Sequence, residues 1–92
     1  MADDVFSFKS RNFTVKLSLD TAGRKGKSVT VLDGLPKEVV LLKALLKTLK
    51  QSCGAGGTVL TDRRDGVIEI QGDHRERISQ YLEKQGVKVN VR

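Results

Sequence analysis

The chain has 92 residues, 38% hydrophobic and 30% charged, with 17 Lys plus Arg against 11 Asp plus Glu for a formal charge of +6. That length fits one small domain burying roughly 60 to 65% of its unfolded surface, and the balance excludes a disordered chain and a second domain. No apolar run approaches the roughly 20 residues of a spanning helix, and the acidic start Met1-Ala2-Asp3-Asp4 is unlike a secretory signal. The expectation is a soluble, cytoplasmic protein that makes no membrane contact and whose surplus of cations favours a polyanionic partner. Cys53, the single cysteine, excludes an internal disulfide and a Cys-based metal cluster.

In chain order, residues 1 to 10 show no period and read as an N-terminal tail, mobile at least at its start, ahead of a domain over 11 to 92. Phe13, Val15, Leu17 and Leu19 alternate with Thr14, Lys16, Ser18 and Asp20, the period of a half-buried strand. A loop of roughly seven residues follows, Thr21-Ala22-Gly23-Arg24-Lys25-Gly26-Lys27, longer than most hairpin connections and dense in cations. Val29 and Val31 then alternate with Ser28 and Thr30 up to a turn at Asp33-Gly34.

Pro36 suits a first helical turn, and residues 37 to 52 carry an apolar stripe of Val39, Leu42, Leu46 and Leu49, widened by Leu45 and by Val40 or Leu41. Lys43, Lys47 and Lys50 recur at helical spacing on another face, and Gly54 is placed to cap the C-terminus in the left-handed conformation. Residues 58 to 61 and 67 to 71 read as strands joined by Asp62-Arg63-Arg64-Asp65-Gly66. Asp73-His74-Arg75-Glu76 has the form of a capping box before a helix carrying Ile78, Tyr81 and Leu82, closed at Gly86. Val87, Val89 and Val91 make the last strand. The order β-β-α-β-β-α-β is best satisfied by an α+β, two-layer plait: a five-stranded sheet with both helices on one face. The other face is expected to carry Thr14, Lys16, Ser18, Thr30, Lys88 and Asn90.

No catalytic constellation emerges from these residues. Gly26-Lys27-Ser28 imitates the end of a phosphate-binding loop, but Thr21 stands where the first Gly belongs and a strand follows where a helix is needed. His74 is the single histidine, at a helix start, and no partner stands at metal-ligand spacing. Cys53 lies by a helix C-terminus, where the dipole disfavours a thiolate. The residues therefore point to a binding protein, not an enzyme, with no cofactor and no metal. Three basic features stand out: the loop cations, the lysine stripe and the Arg63-Arg64 tip. Each alone can be read as a solvated surface, the lysine stripe more readily so than as a contact, whereas together on one small domain they suit a phosphate-rich partner. With 3 Phe, 1 Tyr and no Trp there is no stacking platform, so folded RNA is favoured over single strands.

Three ordered blocks carry a resemblance. Gly23-Arg24-Lys25-Gly26-Lys27 leads into Val29-Thr30-Val31-Leu32-Asp33-Gly34-Leu35; Cys53-Gly54-Ala55-Gly56-Gly57-Thr58-Val59 follows; then comes Asp65-Gly66-Val67-Ile68-Glu69-Ile70-Gln71-Gly72-Asp73-His74-Arg75. From about Phe13 to Arg92 the chain resembles the translation initiation factor one family, also called the suppressor-of-initiator-codon family, and its bacterial members in particular. The resemblance implies an α/β plait with a mainly antiparallel sheet. It implies a monomer that binds the small ribosomal subunit near the decoding site, its basic hairpin loop approaching ribosomal RNA, messenger and initiator tRNA, with an influence on start-codon and initiator-tRNA selection. On that basis Arg24, Lys25 and Lys27 become RNA contacts, with Gly23 and Gly26 shaping the loop; Lys43, Lys47 and Lys50 follow from the helix that faces ribosomal RNA in relatives. Arg63 and Arg64 sit on a hairpin longer than the family's compact form, and Ala55 stands where some bacterial relatives have a second Cys. Alternative readings are a general structured-RNA-binding module, an accessory stress-related translation regulator, and a protein-interaction adaptor using the helix layer or the open sheet face.

Overall fold

The computed structural model describes residues 13 to 21 and 28 to 92. Within them run β1 (Thr14–Asp20), β2 (Val29–Leu35), α1 (Val39–Cys53), β3 (Gly57–Leu60), β4 (Gly66–Gln71), α2 (Arg75–Lys84) and β5 (Lys88–Val91). The expected order is reproduced. The strands form one sheet in the order β3-β4-β2-β1-β5, antiparallel throughout except for the parallel β1-β5 pair. Because β2 and β3 both flank β4 antiparallel to it, they run parallel to each other and need a crossover, which α1 supplies. By the same logic α2 carries the chain from β4 to the parallel strand β5. α1 lies over β3 and β4, α2 over β5 and β1.

Between sheet and helices sits one core of Val15, Leu17, Leu32, Leu35, Leu42, Leu45, Leu49, Ile68, Ile70, Ile78, Leu82 and Val87. The apolar stripe of α1 buries Leu42, Leu45 and Leu49, as its spacing requires. The helix begins at Val39, not at residue 37, so Val39 and Val40 stand at its open end, 49% and 81% exposed. At its far end Gly54 takes φ 62 and its N–H donates to the Lys50 carbonyl, the left-handed stop expected of glycine there.

The second strand departs from its expected phase. Register pairs Leu19 with Thr30 and Thr30 with Ile70, which puts Thr30 on the helix-covered face, fully buried, while Val31 pairs with Ser18 and Glu69 on the opposite face. Asp33-Gly34 is not a terminal turn: β2 continues to Leu35 through a register shift, with Gly34 at φ 83. That bulge brings Leu35 back to the core. A buried hydroxyl is tolerated because both of its hydrogen-bonding capacities are used. Thr30 Oγ1 donates to the Gly72 carbonyl at 2.6 Å and accepts from the His74 N–H at 2.9 Å, tying β2 to the start of α2. Thr30→Val keeps the shape and strands both partners, so we expect about 1 to 3 kcal/mol of lost stability in urea unfolding.

Candidate nucleic-acid interface

β1 and β2 pair as far as Asp20 and Val29, and they carry the cationic connection between them. Gly23, Arg24, Lys25, Gly26 and Lys27 themselves lie outside the described residues. Its anchor is well braced: the Gly72 N–H donates to the Ser28 carbonyl at 2.8 Å, and Val29 bridges to Gly72. The same end of the sheet therefore holds the roots of the cationic connection, the turn before α2 and, through the 2.8 Å bond from Gln71 N–H to the Gly56 carbonyl, the glycine turn after α1.

Beside those roots, the start of α2 is organised by side chains in a way its sequence did not foretell. Asp73 is not the N-cap of a capping box. His74 takes that position without a side-chain cap bond, and the Asp73 carboxylate accepts from Arg75 Nε and Nη2, each at 3.0 Å, and from the Arg75 backbone N–H at 3.3 Å. Arg75 Nη1 donates to the Arg92 carbonyl at 2.9 Å, and the Arg92 N–H donates to the Leu17 carbonyl at 2.7 Å. A fork-shaped guanidinium can serve a carboxylate and a carbonyl at once, and this one braces the last strand against the α2 start. Arg75 holds the Asp73 carboxyl below its ordinary value of 3.8. A depressed carboxyl pKa contributes stability that is present above the unfolded value and is lost as pH falls through the folded one. Thermal melts of Asp73→Asn and the parent chain should therefore differ at neutral pH and converge in strong acid; a gap that persists there would refute the pairing.

An open depression of about 460 Å³ adjoins this turn, lined by Asp73, His74, Glu76, Arg77 and Gln80. Its two carboxylates make it a poor phosphate site. His74 Nε2 lies 2.9 Å from the Gln71 carbonyl, which fixes the ring against the turn. Among the described residues no group of three or more His, Cys, Asp or Glu is placed to hold a metal ion. The Cys53 thiol is pushed up by burial, partly offset by Arg77, which keeps it protonated at neutral pH.

Lys43, Lys47 and Lys50 are exposed along α1, around a concavity of about 400 Å³ that Leu46 and Gln51 help line. Arg63 and Arg64 are exposed as well, and Arg63 Nε lies 3.6 Å from Asp62 Oδ1 in a solvent-facing pair that contributes little. Position separates these features. A β-carbon on Gly66 would stand 2.7 Å from the Pro36 carbonyl oxygen, so the arginine hairpin lies where α1 begins. β4 then runs from Gly66 to Gln71 toward the cationic connection, at about 3.3 Å per residue some 20 Å away. α1 spans the interval. The sheet end thus brings the loop roots and the α2 start together, while Arg63 and Arg64 sit at the opposite pole. No helix among the described residues is long and apolar enough to cross a membrane.

The family model for translation initiation factor SUI1 matches residues 12–88. This chain belongs to the SUI1 family. It is 41% identical to a protein translation factor SUI1 homolog of Picrophilus torridus, over 91% of this chain and 81% of that one. Likeness extends to bacteria: it is 43% identical to the Escherichia coli protein YciH, over 84% of this chain and 68% of the relative. An uncharacterized protein of Synechocystis is 41% identical over 99% of this chain and 78% of its own length. The SUI1 family is one of translation initiation factors that act on the ribosome without being enzymes, so a role in translation initiation follows for this member.

Proposed function

We propose that this SUI1-family chain is a cytoplasmic factor that binds the small ribosomal subunit near the decoding site through its basic connection and influences the selection of start codon and initiator tRNA. One observation carries the reading: the densest cationic segment, with Arg24, Lys25 and Lys27, joins two long antiparallel strands, the second of which is tied where it begins to the turn before α2. A charge cluster carried between two paired strands meets a phosphate-rich RNA surface as a unit, and its counterion release supplies affinity. Gly23 and Gly26 belong to the same proposed segment. Lys43, Lys47, Lys50, Arg63 and Arg64 are further candidates, and with Arg63 and Arg64 about 20 Å from the loop roots one RNA segment contacts both only if it runs the length of the domain. The factor acts by binding and needs no cofactor. Chemical footprinting of small subunits with and without the factor tests this: protection should gather around the decoding site. Equal affinity for unrelated structured RNAs would instead make it a general RNA-binding module.

A further inference from the structure

Among the described residues, one strand edge of the sheet is open and uncharged. Residues 53 to 61, Cys-Gly-Ala-Gly-Gly-Thr-Val-Leu-Thr, form nine consecutive positions without a charge in a chain that is 30% charged. β3 lies within them, at the end of the strand order, and pairs only with β4 among the described residues. The Gln71 N–H bond to the Gly56 carbonyl fixes the alternation of that pair: Gly56, Thr58 and Leu60 turn their backbone groups toward β4. Those of Gly57 and Val59 therefore point outward. The other edge, β5, carries Lys88, the usual guard against unwanted pairing, and β3 has none.

α1 covers β3, and a β-carbon at Gly57 would stand 3.0 Å from Leu46 Cδ1. Leu46 also helps line the concavity ringed by Lys43, Lys47 and Lys50. Leu46 thus links the strand edge to a row of three ammonium groups. We infer that this edge and the overhanging lysines together form a docking groove for an extended acidic segment of a partner protein, added to β3 as a further strand. Side chains of an added strand alternate between faces, so acidic residues on the α1 side meet the lysines while apolar ones on the other side lie beside Thr58 and Leu60. A phosphodiester backbone offers no N–H to the outward carbonyls and would use the lysines alone. The inference goes beyond the ribosomal reading and does not depend on it.

The test uses the whole chain and an acetylated, amidated octapeptide of alternating glutamate and valine, followed by NMR and amide hydrogen exchange. On peptide addition the amides of Gly57 and Val59 should gain protection from exchange. Lys43→Gln/Lys47→Gln/Lys50→Gln, all exposed positions, should weaken peptide binding about tenfold, the sum of three exposed charge pairs. Peptide binding without new protection at Gly57 and Val59 would reduce the effect to loose ion pairing and overturn the inference. So would absence of peptide binding while a uridine oligonucleotide shifts the same lysine region, which would assign the stripe to RNA.

Discussion

Replacing Arg24, Lys25 and Lys27 together by alanine is expected to weaken co-sedimentation with small ribosomal subunits by about two to three orders of magnitude at moderate salt, and to leave the thermal midpoint unchanged. Each cation that neutralises a phosphate contributes roughly 0.7 to 0.9 to the slope of log affinity against log salt, so losing three should flatten that slope by about 2 to 3. The apolar core of the described residues is drawn from the strands and helices, with Val87 between α2 and β5. Stability and binding should therefore separate cleanly. An unchanged affinity, or an unchanged salt slope, would remove the loop from the interface and leave the α1 stripe and the Arg63-Arg64 tip as the remaining candidates.

The largest effect on stability from a single methyl group is expected at Gly34. Its φ of 83 lies in the left-handed region, and a β-carbon there would stand 2.6 Å from the Thr14 carbonyl oxygen. Backbone strain and a clash with a main-chain atom that strand pairing holds in place combine, so Gly34→Ala should cost about 2 to 4 kcal/mol. For a domain of this size that is a fall in melting temperature of at least about 10 °C. Gly86→Ala supplies the control. That glycine has φ 81, but nothing lies within 4 Å of its would-be β-carbon, so only the strain of about 1 to 2 kcal/mol applies. Equal losses at the two positions would show that the bulge is not held by Thr14.

The two stability features meet at β2. Gly34 sets the bulge that returns Leu35 to the core, and Thr30, four residues earlier, ties the same strand to Gly72 and His74 at the root of the cationic connection. Thr30→Val thus carries a second expectation. Loosening that tie should cost more in small-subunit affinity than the accompanying loss of stability explains, since a less rigid base must be ordered on binding.

Much of this was legible in the residues. Alternation at Val15 and Leu17, the leucine spacing from Leu42 to Leu49 and the stop at Gly54 are local signals, because side-chain direction in a strand or helix depends on its own period and a left-handed cap on the absence of a β-carbon. Three ordered blocks were enough to indicate the family, and its match over residues 12–88 bears that out. Tertiary structure decided the rest. Val29, Thr30, Val31 and Leu32 are all good strand residues on either face, so their phase was fixed only by pairing with Leu19 and Ile70 and by partners for one hydroxyl that come from more than forty residues away. Asp73 satisfied a helix-start pattern, yet the guanidinium of Arg75, itself bound to the Arg92 carbonyl, offered its carboxylate two charge-assisted bonds. The basic features likewise could be counted in the sequence but not located. Strand order alone put the arginine hairpin and the cationic connection at opposite ends of the sheet, because that separation depends on which strands pair and in which direction, and pairing is a property of the folded chain.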